Sequence, residues 1–261
     1  QWKRNTDIQK WRIKYYKGLG TSTSQEAKEY FRIIDDIRIQ YHMNHDSNDS
    51  MLLAFQKTQT DARKEWIKEG TIHKQTLRED TNNVSIYDFV HKDLIWFSMA
   101  DNERSIPNVM DGMKPSQRKV LYACRKRQNT EIKISQLSGY VSTETCYHHG
   151  EASLMSTIIG MARDFVGTNN VNFLVPKGQF GTRLMGGKDA ASPRYIFTQL
   201  NPISNHLFSK EDDPLLTYLD DDGTLVEPQY FVPILPTILF NGADGIGTGY
   251  STHIPNYNPT D

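Results

Sequence analysis

The stretch from Pro115 to Arg127 constrains the fold most. Proline is tolerated at a first helical position, where its missing N–H is not needed. The residues after it then separate into two sides. At 100° per residue, Arg118, Lys119, Tyr122, Arg125 and Lys126 fall within about one third of the circumference. Val120, Leu121, Ala123 and Cys124 lie opposite. A helix of this kind must bury its apolar side. Strand signals come next, from Lys133 to Leu137, and a helix–strand succession of this sort fits a helix-turn-helix or winged-helix arrangement. The basic side suits a phosphate backbone; an ordinary solvated face explains the same pattern.

Around this helix the chain is organised by short local signals. Trp11 to Tyr16 alternates in polarity and reads as a strand, with a turn at Lys17-Gly18-Leu19-Gly20. The segment Thr21 to Glu26 offers N-caps for a helix running through Tyr30-Phe31. Asp46 to Asp49 reads as a loop, and Met51 to Lys68 as a helix. Lys74 to Val84 is apolar-poor and reads as a linker, after which Ser85 opens a helix carrying Phe89, Val90, Leu94, Ile95 and Phe97.

At 261 residues the chain can bury a substantial core and suits two domains or parts of domains. It has no apolar run long enough to span a bilayer and no signal-peptide pattern. Without a terminal signature at Gln1 or Asp261, it reads as a piece of a longer protein. Cys124 and Cys146 form no zinc spacing and suggest a reducing compartment. Net charge is −1, so any nucleic-acid surface must be local. Lys114 to Arg127 holds six basic residues and no acidic one. Glu211-Asp212-Asp213 and Asp220-Asp221-Asp222 carry the opposite sign, which suggests one face for nucleic acid and another for solvent.

The candidate chemistry centres on Ser192-Pro193-Arg194-Tyr195-Ile196-Phe197-Thr198. A tyrosine hydroxyl ionises near pH 10 and is a poor nucleophile at neutrality, but an adjacent cation favours the phenolate. Arg194 supplies one, and could also neutralise charge building on a phosphoryl group under attack. A buried tyrosine opening a strand is the plainer alternative. Adjacent His148 and His149 rarely bind one metal together, and no HExxH is present. Gly245-Ile246-Gly247-Thr248-Gly249 lacks the full GxGxxG of a dinucleotide site, and Lys17 to Ser22 has its lysine at the wrong end for a P-loop. The acidic clusters lie in turn-rich settings and read as solvated loops rather than a Mg²⁺ site. No metal ligand set is assigned.

Five motifs then stand in one order: Asp111-Gly112-Met113-Lys114-Pro115-Ser116-Gln117-Arg118-Lys119, Tyr147-His148-His149-Gly150-Glu151, Gly178-Gln179-Phe180-Gly181-Thr182-Arg183 with Gly186-Gly187-Lys188-Asp189, Arg194-Tyr195, and Asn241 to Gly249. In order and spacing the chain resembles the DNA breakage-and-reunion region of eukaryotic-type DNA topoisomerase II (type IIA), from Ile13 to the C-terminus. The resemblance implies an α+β chain: the C-terminal part of a Toprim α/β domain (1–70), a linker (71–84), a winged-helix domain (85–205) and the start of an α/β tower domain (206–261).

It also implies a chemistry. Tyr195 is the nucleophile that forms a transient 5′-phosphotyrosyl link, with Arg194, Arg118 and His149 at the scissile phosphate. Lys17, Lys114, Lys119, Gln179, Arg183 and Lys188 contact DNA. Ile246 wedges into a base step and bends the duplex, its flanking glycines letting the backbone approach the DNA. The partners implied are double-stranded DNA and a second copy of the chain, with no membrane. Mg²⁺ and ATP belong to the full-length enzyme and bind outside this stretch, since the Glu-Gly-Asp and Asp-x-Asp-x-Asp motifs and the ATPase module are absent. The location implied is the nucleus, or sites of viral DNA replication. Two rivals are a silent winged-helix module and a topoisomerase VI-like tyrosine enzyme. The intact Arg194-Tyr195 pair argues against the first, and the Gly178–Arg183 and Gly245–Gly249 signatures against the second.

Overall fold

The computed structural model describes Trp11 and residues 22–73, 75–77 and 82–261. The expected strand at Trp11–Tyr16 and turn at Lys17–Gly20 lie outside the described residues, apart from Trp11 itself. Helix α1 (Ser24–Arg32) starts as its sequence signals. Thr23 Oγ1 accepts from Glu26 N at 3.2 Å and the Glu26 carboxylate accepts from Thr23 N at 2.6 Å, a reciprocal capping box. A single turn, α2 (Ile34–Ile37), leads to β1 (Gln40–His42).

The expected long helix over Met51 to Lys68 is two helices. α3 (Ser47–Phe55) begins inside the segment read as a loop, and α4 (Thr60–His73) comes after a 3₁₀ turn at Lys57–Gln59. Arg63 stabilises the corner: its Nε and Nη2 donate to the carbonyls of Leu53 and Gln56 at the end of α3.

Strand β2 (Asn83–Ser85) pairs in parallel with β1, so the far end of the expected linker is part of a small sheet. Ser85 caps α5 (Ile86–Phe89), its Oγ accepting from Asp88 N at 3.0 Å. The helical path continues through a π turn at Val90–Leu94 into α6 (Ile95–Ser105). Trp66, Ile67, Val90 and Ile95 form a small buried cluster between α4 and this path.

The main core is built from the elements after α6. α7 (Pro115–Lys126) starts at the expected proline. The strand expected over Lys133 to Leu137 shrinks to β3 (Ile132–Lys133), because a further helix, α8 (Ile134–Glu144), begins directly after Lys133. Its apolar residues Ile134, Leu137 and Val141 recur at helical spacing and are all buried. After α9 (Glu151–Ala162) come β4 (Leu174–Lys177) and β5 (Phe197–Leu200), joined with β3 in an antiparallel sheet of order β3-β5-β4. Three helices and this sheet enclose Val120, Leu121, Ile134, Leu137, Leu154, Ile158, Leu174 and Ile196. Cys124 lies in the same core, and burial pushes its thiol up to about 12.

A last section closes over the outside of α7. It comprises α10 (Pro202–Leu207), the hairpin β6 (Tyr218–Asp221) and β7 (Thr224–Pro228), α11 (Thr237–Phe240), and the hairpin β8 (Ala243–Ile246) and β9 (Ser251–Ile254). Among the described residues no helix is long and apolar enough to cross a membrane.

Candidate nucleic-acid cleavage site

Tyr195 does not open a strand. It sits in the turn before β5, its N–H donating to Ser192 O at 2.9 Å. The residues on either side hold that turn against α8. Ser135 N donates to Pro193 O and Ile134 N donates to Ile196 O. Ile196 is 2% exposed while Tyr195 is 70% exposed, so one side chain anchors the turn in the core and its neighbour projects outward. The Arg194 guanidinium lies 5.6 Å from the Tyr195 ring centroid, within cation–π range.

The Gly178–Asp189 loop begins where β4 ends, opposite the start of β5. Lys177 pairs with Phe197, and Ala191 N donates to Gln179 O at 2.9 Å. Two side chains lock the loop. The Asp189 carboxylate accepts from Thr182 N and Thr182 Oγ1, both at 2.8 Å. The Thr182 backbone N–H above all holds the Asp189 carboxyl below the usual carboxylate range, against a smaller opposing effect of burial. Arg163, beyond the end of α9, donates to Phe180 O at 3.2 Å and Gly187 O at 2.8 Å. Gly187 has φ +81°, a conformation L side chains rarely adopt, and a Cβ there would stand 2.3 Å from the Arg163 guanidinium carbon, so a larger residue would be strained and would displace the clamp. Arg183 and Lys188 are exposed on this loop and make no ion pair among the described residues. Gln179 folds back, its Oε1 accepting from Gly181 N.

His149 is exposed at the start of α9, its ring edge-on to Tyr147 at 5.4 Å. His148 points elsewhere: its Nε2 lies 2.7 Å from Asp221 Oδ2 on β6.

The basic side of α7 is not the open face that its wheel suggests. Arg118 is buried. Its Nε and Nη2 meet Asp111 Oδ2 and Oδ1 at 2.7 and 3.0 Å, and Nη2 also donates to Met113 O. Asp111 further accepts from the N–H groups of Met113 and Phe231, so its charge is fully satisfied. Lys119 meets Glu227 at 2.9 Å and Thr145 O at 2.7 Å, Arg125 meets Asp213 at 2.7 Å, and Lys126 meets Glu144 at 2.7 Å. In this structure Arg118 and Lys119 are turned toward the protein's own carboxylates, Asp111 and Glu227. A wheel identifies residues that share a side but not what covers that side, and here acidic residues of β7, α8 and the 209–217 segment do so. Asp213 and Asp221, read as solvated, have partners: Asp213 pairs with Arg125, and Asp221 hydrogen-bonds His148. Lys114 is half-buried beside a crevice of about 380 Å³ lined also by Gln117, Thr157, Asn169 and Asn241. Lys17 lies outside the described residues.

Ile246 is 84% exposed at the tip of the β8–β9 hairpin, where it pairs with Ser251. It is not a core residue. The flanking glycines serve a different approach from the one expected. A Cβ on Gly245 would lie 2.5 Å from Ser105 O, and one on Gly247 would lie 2.1 Å from Asn102 Oδ1. Both glycines face α6 and its exit, so they admit the protein's own helix.

Sequence reasoning missed Arg163 and Asn102, and gave Asp189 no role. Asp189 stood inside one of the five motifs and could have been singled out. Arg163 and Asn102 carry no local signal, since their partners are backbone groups distant in sequence.

The family model for DNA gyrase/topoisomerase IV matches residues 104–261, and one described as the C-terminal associated domain of TOPRIM matches residues 1–102. DNA topoisomerase 2 of Plasmodium falciparum is 52% identical over the whole chain, and that of Saccharomyces cerevisiae 53% identical over 95% of it. The chain spans 19% and 18% of those proteins, about a fifth of their length. The crystal structure of the Plasmodium falciparum topoisomerase II DNA-binding, cleavage and re-ligation domain is similar over 99% of this chain and 36% of that one, with TM-score 0.80 and 52% identity. With a matching model over more than half its residues, and this likeness in sequence and fold, the chain belongs to the type II DNA topoisomerases, in the DNA gyrase/topoisomerase IV family.

Proposed function

We propose that this chain supplies the nucleophile and part of the DNA-facing surface of a type II DNA topoisomerase. The observation that carries the reading is Tyr195. Its phenol projects from the turn before β5, Arg194 stands beside it, and the neighbouring loop offers Arg183 and Lys188, exposed and without an ion pair among the described residues. The Tyr195 oxygen attacks a DNA phosphate, losing its proton, and forms a 5′-phosphotyrosyl bond as the 3′ oxygen leaves and is protonated. Reversal restores the backbone without a further energy source, because one phosphoester replaces another. Arg194 neutralises the charge that gathers on the phosphorane and His149 donates a hydrogen bond to it, where a fixed donor is worth most. Arg118 is assigned a different task, holding Asp111 and so the start of α7.

In the whole protein, two copies each cut one strand, opening a gate through which a second duplex passes. ATP drives that passage and Mg²⁺ assists cleavage. The metal is assigned to other parts of the full-length protein, and no step is routed through it here. Residues 1–70 are assigned to the Toprim domain, 85–205 to the winged helix and 206–261 to the start of the tower. The proposed location is the nucleus, or sites of viral DNA replication for a large-DNA-virus source.

The test is Tyr195→Phe in a full-length protein carrying this segment. The ring and its contact with Arg194 persist while the attacking oxygen is lost. DNA binding is expected to stay near wild type and covalent protein–DNA adducts to disappear. Adducts formed by the Phe variant would show that another residue is the nucleophile.

A further inference from the structure

We propose that Asn102 is the positioning residue that holds the Ile246 wedge erect, mounting the DNA-bending hairpin on α6. The proposal rests on the reading of Ile246 as a wedge and extends it to the question of how an isolated apolar side chain is kept ready.

An Ile that is 84% exposed gains nothing from the protein core. To unstack a base step it must push against the duplex, and a hairpin tip that yields would transmit little of that push. The β8–β9 hairpin is short and two-stranded, a form marginal by itself in water. Its stiffness must come from what it leans on. Asn102 Nδ2 donates to Thr248 O at 3.0 Å, two residues beyond Ile246. A carbonyl only accepts, so the Asn102 amide nitrogen must face it and Oδ1 must face Gly247. That Oδ1 is buried and has no hydrogen-bond donor among the described residues, and it occupies the space where a side chain at residue 247 would begin.

Neighbouring contacts extend the seat. Thr248 Oγ1 donates to Asp101 Oδ2 at 3.1 Å. Gly245 lies against the Ser105 carbonyl, Ile106 and Pro107. On the far side of the tip, Gly249 lies against Arg63 and Ile67, and Tyr250 reaches the Lys64 carbonyl of α4. Both flanks of Ile246 are thus held by helices whose residues lie almost wholly within the TOPRIM-associated match, although the hairpin itself falls in the gyrase/topoisomerase IV match. The angle of the wedge is set by α4 and α6.

The test uses a full-length protein carrying this segment and a duplex with a dye at each end. Asn102→Ala is expected to lower energy transfer from the bent level toward that of free duplex, with DNA affinity little changed. Gly247→Ala should do the same, and the double variant should lose no more than the larger single loss, because both break one seat. Asn102→Asp preserves shape while replacing the donor by an acceptor facing Thr248 O; it guards against a folding defect and should also bend DNA poorly. Ile246→Ala separates the two readings. If Ile246→Ala straightens DNA while folded Asn102→Ala or Asn102→Asp bends it normally, the positioning role is overturned and the wedge stands. If Ile246→Ala itself bends DNA normally, the wedge falls and this proposal with it. Independent, multiplying losses in the double variant would also overturn the shared seat.

Discussion

At the scale of single residues, the chain contrasts charges that are consumed with charges that are free. Arg118 and Asp111 are a buried, bidentate pair with side-chain exposures of 5% and 0%. Removing one partner strands the other in a low-dielectric site, which typically costs about 3–5 kcal/mol. Arg118→Ala should therefore lower the denaturation midpoint sharply, as read by urea titration. The salt dependence of DNA binding by the folded fraction should stay the same, because no phosphate contact is lost. A stable Arg118→Ala variant with a flatter salt slope would return Arg118 to the DNA surface. Arg183, Lys188 and Arg194 form no ion pair among the described residues, and Arg194 lies beside the projecting Tyr195. The Arg194-Tyr195 adjacency was legible in seven residues. The burial of Arg118 was not, since its partner and Phe231, which shares that partner, come from different parts of the chain.

At the scale of elements, the Gly178–Asp189 loop is a rigid part built from two side-chain clamps. The sign of its pH dependence is set by Asp189. Its folded carboxyl ionises at lower pH than in the unfolded chain, mainly through the Thr182 N–H. The stabilisation is therefore present above the unfolded carboxylate range, near pH 4, and is lost as pH falls through the lower folded value. Hydrogen exchange at the Thr182 amide should accelerate in that acid window beyond its ordinary pH trend. Asp189→Asn should abolish the acid-linked change, and Arg163→Met should speed exchange across the loop at every pH. An Asp189→Asn variant that retains the wild-type acid profile would mean that another group governs it. The β8–β9 hairpin is the second such part, and in both cases glycine is required by a close neighbour within the protein.

At the scale of the whole molecule, α7 is enclosed, with β7 and the 209–217 segment pairing its cations on the outside and α8 and α9 packing its apolar side. Residues 1–261 expressed alone should neither relax supercoiled DNA nor turn over ATP, with or without Mg²⁺, because this stretch carries neither an Asp-x-Asp-x-Asp run nor an ATPase motif. ATP hydrolysis by the purified polypeptide would mean that one of its glycine-rich loops has been misread. The sequence by itself determined what depends on adjacency: the caps at Thr23 and Ser85, the start of α7 at Pro115, the tyrosine beside its arginine, and the ordered motifs of the family. The tertiary structure alone decided what depends on distant partners. Lys119 meets Glu227 across 108 residues and Asn102 meets Thr248 across 146. Helical periodicity can show that cations share a side, but whether that side meets DNA or a carboxylate depends on which distant segment the folded chain places against it.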